Sequence, residues 1–169
     1  MEYSCTRWIN ICILLYFQKK EWISAEKRPI VTVTGSHKKT IVFGSLSLEG
    51  KQLFRQYDKF NSSTFVDYLK HLQKRFVGKC IVFVDRATSH CSKITRKFLA
   101  ENKDTIRLEY LPVGSPEFNA VEECWRQGKY NILSCYYNTF DSLKEAISSY
   151  YRTRKFNLNI VLYLTRTID

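Results

Sequence analysis

Residues 80–85, CIVFVD, constrain the fold more than any other stretch of the chain. The run is too short for a buried helix and shows no polar alternation. It is therefore read as a strand covered on both faces, which requires a sheet with a layer packed on each side. The flanking segments say which kind. Upstream, PIVTVTG (29–35), TIVFGSLS (40–47) and KQLFRQYD (51–58) read as successive strands, with Gly35-Ser36 and Glu49-Gly50 as turns, so an antiparallel meander is expected. Asn61 or Ser62 then caps a helix in which Phe65, Tyr68, Leu69, Leu72 and Phe76 recur at helical spacing, ending at Gly78.

Downstream, a helix from about Ser92 to Glu101 leads into the strand RLEYLP (107–112). Further helices are expected from Ser115, from Asp141 (with Leu143, Ile147 and Tyr150 on one stripe) and over NLNIVLYLTR (157–166). A meander followed by alternating helices and strands defines an α/β fold with a mixed sheet and flanking helices. No repeat, low-complexity tract or Pro/Gly/Ser linker divides the 169 residues, so one domain is expected.

Lys and Arg number 27 against 16 Asp and Glu, a net charge of +11, which points to a polyanionic partner, above all nucleic acid. Pairs such as Lys38-Lys39, Lys74-Arg75 and Arg96-Lys97 spread that charge along the chain. The six cysteines show no CxxC pair and no zinc spacing, and read as reduced thiols of a cytoplasmic protein. Trp8 to Phe17, WINICILLYF, is too short to span a bilayer, which takes roughly 20 residues. The QKKEW that follows carries no small-residue cleavage site, so a buried strand is expected there rather than an export signal.

Two carboxylates stand out. Asp85 closes CIVFVD, and ligands of open α/β sheets gather beyond the carboxyl ends of parallel strands. An ordinary turn aspartate is the plain alternative. Glu122 belongs to SPEFNAVEECW (115–125), where Ser115 suits an N-cap, Pro116 the first helical position and Glu117 the positive helix end. Counted at about 100° per residue from Phe118, the apolar stripe contains Val121, Trp125 and Ile132. Glu122 falls inside that stripe, whereas Glu123 points towards solvent. A buried carboxylate needs a partner or a metal. The plain alternative for Glu122 is an i,i+4 pair with Arg126. Acids in a DNA-binding site repel the phosphates unless divalent cations lie between them, and Mg²⁺ favours such carboxylate ligands.

VFVDRATSH (82–90), LEYLPVGSPEFNAVEECW (108–125) and TIVFGSLSLEGK (40–51) together resemble the DDE transposases of the mariner superfamily, especially the prokaryotic insertion-sequence branch. The resemblance covers roughly Trp22 to the C-terminus. It implies a ribonuclease H-like fold, and it implies that Asp85 and Glu122, with 36 residues between them, are catalytic metal ligands. His90, Asn119 and Trp125 match the same signatures, with Ala120 in place of the usual proline; none is assigned a catalytic role. The implied cofactor is Mg²⁺ or Mn²⁺, two ions in the intact site. The implied partners are transposon-end and target DNA, a second copy of the chain on that DNA, and no membrane. The implied activity is metal-dependent cleavage followed by attack of the freed 3′-hydroxyl on target DNA.

The resemblance breaks upstream of Trp22. The family carries a further Asp on its first strand, and CTRWINICILLYF contains no carboxylate. The nearest acids are Glu2, Glu21 and Glu26, none inside the expected strand. Residues 1–21 are thus expected to be an atypical segment or a degenerate first strand, and 22–169 a partial catalytic domain. Three explanations stay open: a decayed or frame-shifted copy, the second half of a two-frame transposase that joins an upstream half, or a nuclease-dead DNA-binding domain.

Overall fold

The computed structural model describes residues 2–12, 39–113, 118–135 and 137–158; for 2–12 it describes the backbone and its pairing. Five strands form one sheet in the order β3-β2-β1-β4-β5. They are β1 (Glu2–Cys12), β2 (Lys39–Ser47), β3 (Gln52–Tyr57), β4 (Cys80–Val84) and β5 (Ile106–Tyr110). β1, β4 and β5 run parallel, while β1–β2 and β2–β3 are antiparallel. The strand at 40–47 and the one following it form the expected hairpin, whose Gly50 adopts φ 78°. The proposed strand at 29–35 lies outside the described residues. From the run at Trp8 to Phe17, the part through Cys12 belongs to β1, at the middle of the sheet.

The helices fall into two layers. α1 (Ser62–Arg75) and α2 (Lys93–Glu101) cover one face, where Phe65, Tyr68, Leu69, Leu72 and Phe98 pack with Phe43, Val82 and Val84. α3 (Val121–Leu133) and α4 (Phe140–Thr153) cover the other, where Val121, Trp125, Ile132, Leu143, Ile147 and Tyr151 pack with Val42, Leu46 and Phe83. The residues of β4 therefore alternate between the two cores, as the unbroken apolar run requires. α1 starts in a capping box, Asn61 Oδ1 accepting from the Thr64 amide at 2.9 Å. It closes at Arg75, before Gly78 turns the chain at φ 106°.

Two expectations change. The helix carrying Glu122 starts at Val121, not at Ser115, and Ser115 to Glu117 lie outside the described residues. Its amides are met one residue earlier than a standard cap: Asn119, fully buried, accepts from the Val121 amide through Oδ1 (3.3 Å) and from the Glu122 amide through its carbonyl (2.9 Å). The segment from 157 begins as irregular chain, and most of the helix expected there lies outside the described residues.

Gly44 of β2 is where α3 meets the sheet. A Cβ built there would lie 2.5 Å from Trp125 Cη2 and 2.6 Å from Phe54 Cε1, closer than real contacts allow. Trp125 and Phe54 meet edge to face at 5.5 Å. Alanine normally suits a strand better than glycine. Gly44→Ala is nevertheless expected to destabilise the chain by about 1–3 kcal/mol, because the buried Trp125 ring and the partly buried Phe54 ring must move. Urea unfolding checks this; an unchanged or raised midpoint would remove the notch from the packing scheme.

Candidate active site

Asp85 follows the last residue of β4, two positions beyond Phe83, whose ring faces the α3–α4 core. The loop it opens is tied down at several points. Asp85 Oδ1 accepts from the Ala87 amide at 3.1 Å, and His90 Nδ1 stands 2.8 Å from the same oxygen and 3.1 Å from the Asp85 carbonyl. The tautomer with its proton on Nδ1 donates to both. His90 is fully buried, packed on the Phe65 ring at 4.1 Å and beside Phe60. Tyr110, at the end of β5, donates to the His90 carbonyl at 3.2 Å, and the Arg86 guanidinium lies 5.7 Å above the Tyr110 ring. His90 thus acts as a packed positioning residue that orients one carboxylate oxygen of Asp85.

Glu122 occupies the first turn of α3, half-buried, three residues before Trp125. Its expected partner Arg126 is engaged elsewhere. Arg126 Nε donates to Glu123 Oε2 at 2.7 Å and Nη2 to Oε1 at 2.6 Å, while Gln127 Nε2 adds a bond to Oε1 at 2.9 Å. This corrects the sequence reading twice. Glu123 lies along the helix with its side chain only 20% exposed instead of pointing to solvent, and the ion pair is i,i+3 from Glu123, not i,i+4 from Glu122. Both spacings are open to Arg126 in the sequence, and the fork geometry of the guanidinium favours the bidentate choice.

Strand register shows what stands beside Asp85. β1 pairs with β4 from Glu2↔Cys80 to Cys5↔Phe83. Two positions further along each strand are Arg7 and Asp85, and Arg7 is in turn paired with Gly44 of β2. Glu2, the one carboxylate of β1, is level with Cys80, five positions before Asp85. At about 3.3 Å per residue that is about 16 Å back along the strand. The β1 position level with Asp85 is therefore Arg7, and Cys5 lies two positions back, level with Phe83. Among the described residues no group of three or more His, Cys, Asp or Glu could hold a metal ion. Asp85 and Glu122 are hard oxygen donors of the kind Mg²⁺ takes.

The family model for DDE superfamily endonucleases matches residues 17–144, and the chain belongs to that family. The match begins beyond the end of β1. No curated protein matches the sequence. Solved structures of the Mos1 mariner transposase share the fold. A paired-end complex with the left transposon end superposes with a TM-score of 0.67 at 15% identity, covering 96% of this chain and 50% of that one. A Mos1 paired-end complex with Mg gives 0.66 at 16% identity, covering 98% and 52%. The Mos1 catalytic domain with Raltegravir and Mn gives 0.64 at 15% identity, covering 97% and 78%. The chain thus spans about half the length of the Mos1 chains in the paired-end complexes. Its fold is the ribonuclease H-like fold of the Mos1 catalytic domain. Among the described residues no helix is long and apolar enough to cross a membrane.

The Glu123 pair sets a pH dependence. Hydrogen bonding from Arg126 holds the Glu123 carboxyl below its ordinary 4.5. A depressed folded pKa contributes stability that is fully present above the unfolded value and is lost as pH falls through the folded one. The Glu123→Gln variant is expected to be about 0.3–0.5 kcal/mol less stable than the parent at neutral pH, a difference that closes in acid. Urea midpoints measured at about pH 7 and about pH 3 compare the two proteins; a difference that persists in acid would contradict the pairing.

Proposed function

We propose that the chain is the catalytic domain of a DNA transposase in partial form, with Asp85 and Glu122 as the two retained ligands of a divalent-metal site. What supports this reading is an oriented aspartate that follows a parallel strand flanked on both sides, and a half-buried glutamate in the first turn of a helix packed on the sheet, within a chain of the DDE endonuclease family. Mg²⁺ or Mn²⁺ bound there would supply Lewis-acid charge to a phosphodiester. The chain's own contribution is to hold Asp85 through His90 and Ala87, and to present Glu122 from a helix seated by Trp125. The basic surface would hold the DNA backbone. Mos1 complexes with transposon ends support DNA ends as the substrate class, and its Mg and Mn complexes support the metal choice.

The finer assignment rests on the same residues. Residues 22–169 form the family-like catalytic part and 1–21 an atypical lead that contributes the first strand. With Arg7 level with Asp85 and Cys5 two positions back, the described residues offer no third carboxylate to join Asp85 and Glu122, and the chain by itself would be weak or inactive. Transposition would need an upstream half, and a second copy on the paired DNA ends. Insertion-sequence origin and a location at the nucleoid follow from the motif resemblance. The register at β1 also favours a second reading, a nuclease-dead DNA-binding domain. That reading requires salt-sensitive DNA binding that survives Asp85→Asn, with no metal-dependent nicking in any variant.

Mn²⁺ titration followed by electron paramagnetic resonance separates the readings. The parent chain is expected to show no saturable site tighter than about 1 mM, and a carboxylate introduced as Arg7→Asp or Cys5→Asp to tighten binding at least about tenfold. Adding Asp85→Asn or Glu122→Gln should abolish that gain. Tight binding by the parent, lost in both single variants, would mean that another group already completes the site. No gain from either new carboxylate would disconnect β1 from Asp85.

A further inference from the structure

A second charged feature lies away from Asp85 and Glu122, on the free edge of the sheet. β3 is an edge strand, and a cleft of about 760 Å³ runs along it between the last turns of α1 and α4. Lys51 and Arg55 line it from β3 and the turn before it, Arg75 from the end of α1, Arg152 from the end of α4 and Lys155 from the segment after it. Glu49 is the one carboxylate in the lining. It pairs with Lys51 at 3.0 Å. Arg55, Arg75, Arg152 and Lys155 are exposed and form no ion pair with a carboxylate among the described residues.

The cleft is built rather than incidental. The chain leaving α4 is laced to the edge strand: Gln52 Nε2 donates to the Arg154 carbonyl, and Gln52 Oε1 accepts from the Phe156 amide at 3.1 Å. Ser148 of α4 bonds Gln56 of β3. These contacts hold Arg152 and Lys155 beside β3, on the side opposite Arg55, which is paired in register with Phe43 of the α1–α2 core. Cations thus approach the open edge from both layers. Such an edge repels a second copy of itself, so pairing with a like strand is disfavoured. Its match is a polyanion with regularly spaced charge.

We infer that this cleft is a second contact for duplex DNA, holding the phosphate backbone at a distance from the acidic site. β3 stands three strands from β4, about 14 Å at the usual strand spacing. At 3.4 Å per step, that is on the order of four base pairs, so one duplex reaches both places. The inference rests on DNA being the partner, and it adds where the backbone is held: cations from β3, α1 and α4 neutralise phosphates without touching the reacting one.

The test is fluorescence anisotropy of a labelled 20-base-pair duplex of mixed sequence (a probe length of about two turns) with the 169-residue chain, as a function of salt. The double variant Arg55→Gln/Arg152→Gln is compared with Lys97→Gln/Lys103→Gln, which removes the same charge from the α2 region. Circular dichroism confirms that both are folded. Each lost phosphate contact flattens the plot of log affinity against log salt by about one. The cleft variant is expected to flatten it by about two and the control by far less. Equal flattening in both would overturn the cleft in favour of a diffuse field. A cleft variant that binds like the parent would overturn it while leaving DNA as the partner. A parent chain that binds no duplex would overturn both the cleft and the DNA reading.

Discussion

The contact on which the rest of the molecule depends is the seating of Trp125 in the notch left by Gly44. It brings α3 against the sheet with no side chain between them, and the packing of Phe54 and Tyr151 around the indole fixes the tilt of the helix. Glu122 lies less than one turn before that anchor, so the seating of the tryptophan sets the height of its backbone above the sheet. Gly44 is at the same time the β2 partner of Arg7, two strand positions past the last β1–β4 pair. One glycine therefore links the helix carrying the glutamate to the row of the sheet that runs out to Asp85.

The aspartate is held by a separate device. His90 and the Ala87 amide take one carboxylate oxygen, Tyr110 holds the histidine's backbone, and Phe65 walls the imidazole from below. All of these come from the α1–α2 layer and the parallel strands, so Asp85 and Glu122 are positioned by different halves of the core. Apolar packing and hydrogen bonds from within the chain therefore hold both segments in place. The basic edge along β3 lies apart from these acids, so on the proposed reading DNA affinity and cleavage would be separable.

Much of this was legible from residue patterns. The unbroken apolar run 80–84 fixed a strand covered on both sides, and the meander followed by alternation led to the mixed sheet. The quoted motifs single out Asp85 and Glu122, which lie after β4 and in the first turn of α3. Other features were not legible. Ser115-Pro116 carries a strong helix-start signal, yet α3 starts at Val121, where the buried Asn119, itself a favoured cap residue, accepts from the first amides; the pattern alone does not choose between the two starts. Arg126 is within reach of either Glu122 or Glu123 along a helix, and only the fork-on geometry decides for Glu123. The role of Gly44 was hidden inside an ordinary strand pattern, since a glycine's close neighbours come from elements 10 and 81 residues further on. The histidine of VFVDRATSH could be counted but not oriented, because burial against Phe65 depends on α1.

The central claim is that Asp85 and Glu122, held by opposite layers of the core, face one shared cation position. Paramagnetic broadening by substoichiometric Mn²⁺ in the ¹⁵N-labelled Arg7→Asp chain tests it most directly. The amides of Val84 to Ala87 and of Val121 to Glu123 should broaden together at the same metal concentration, while those of Gly78 and Lys103 stay sharp. Broadening confined to one of the two segments, or centred on another part of the sheet, would contradict a shared site.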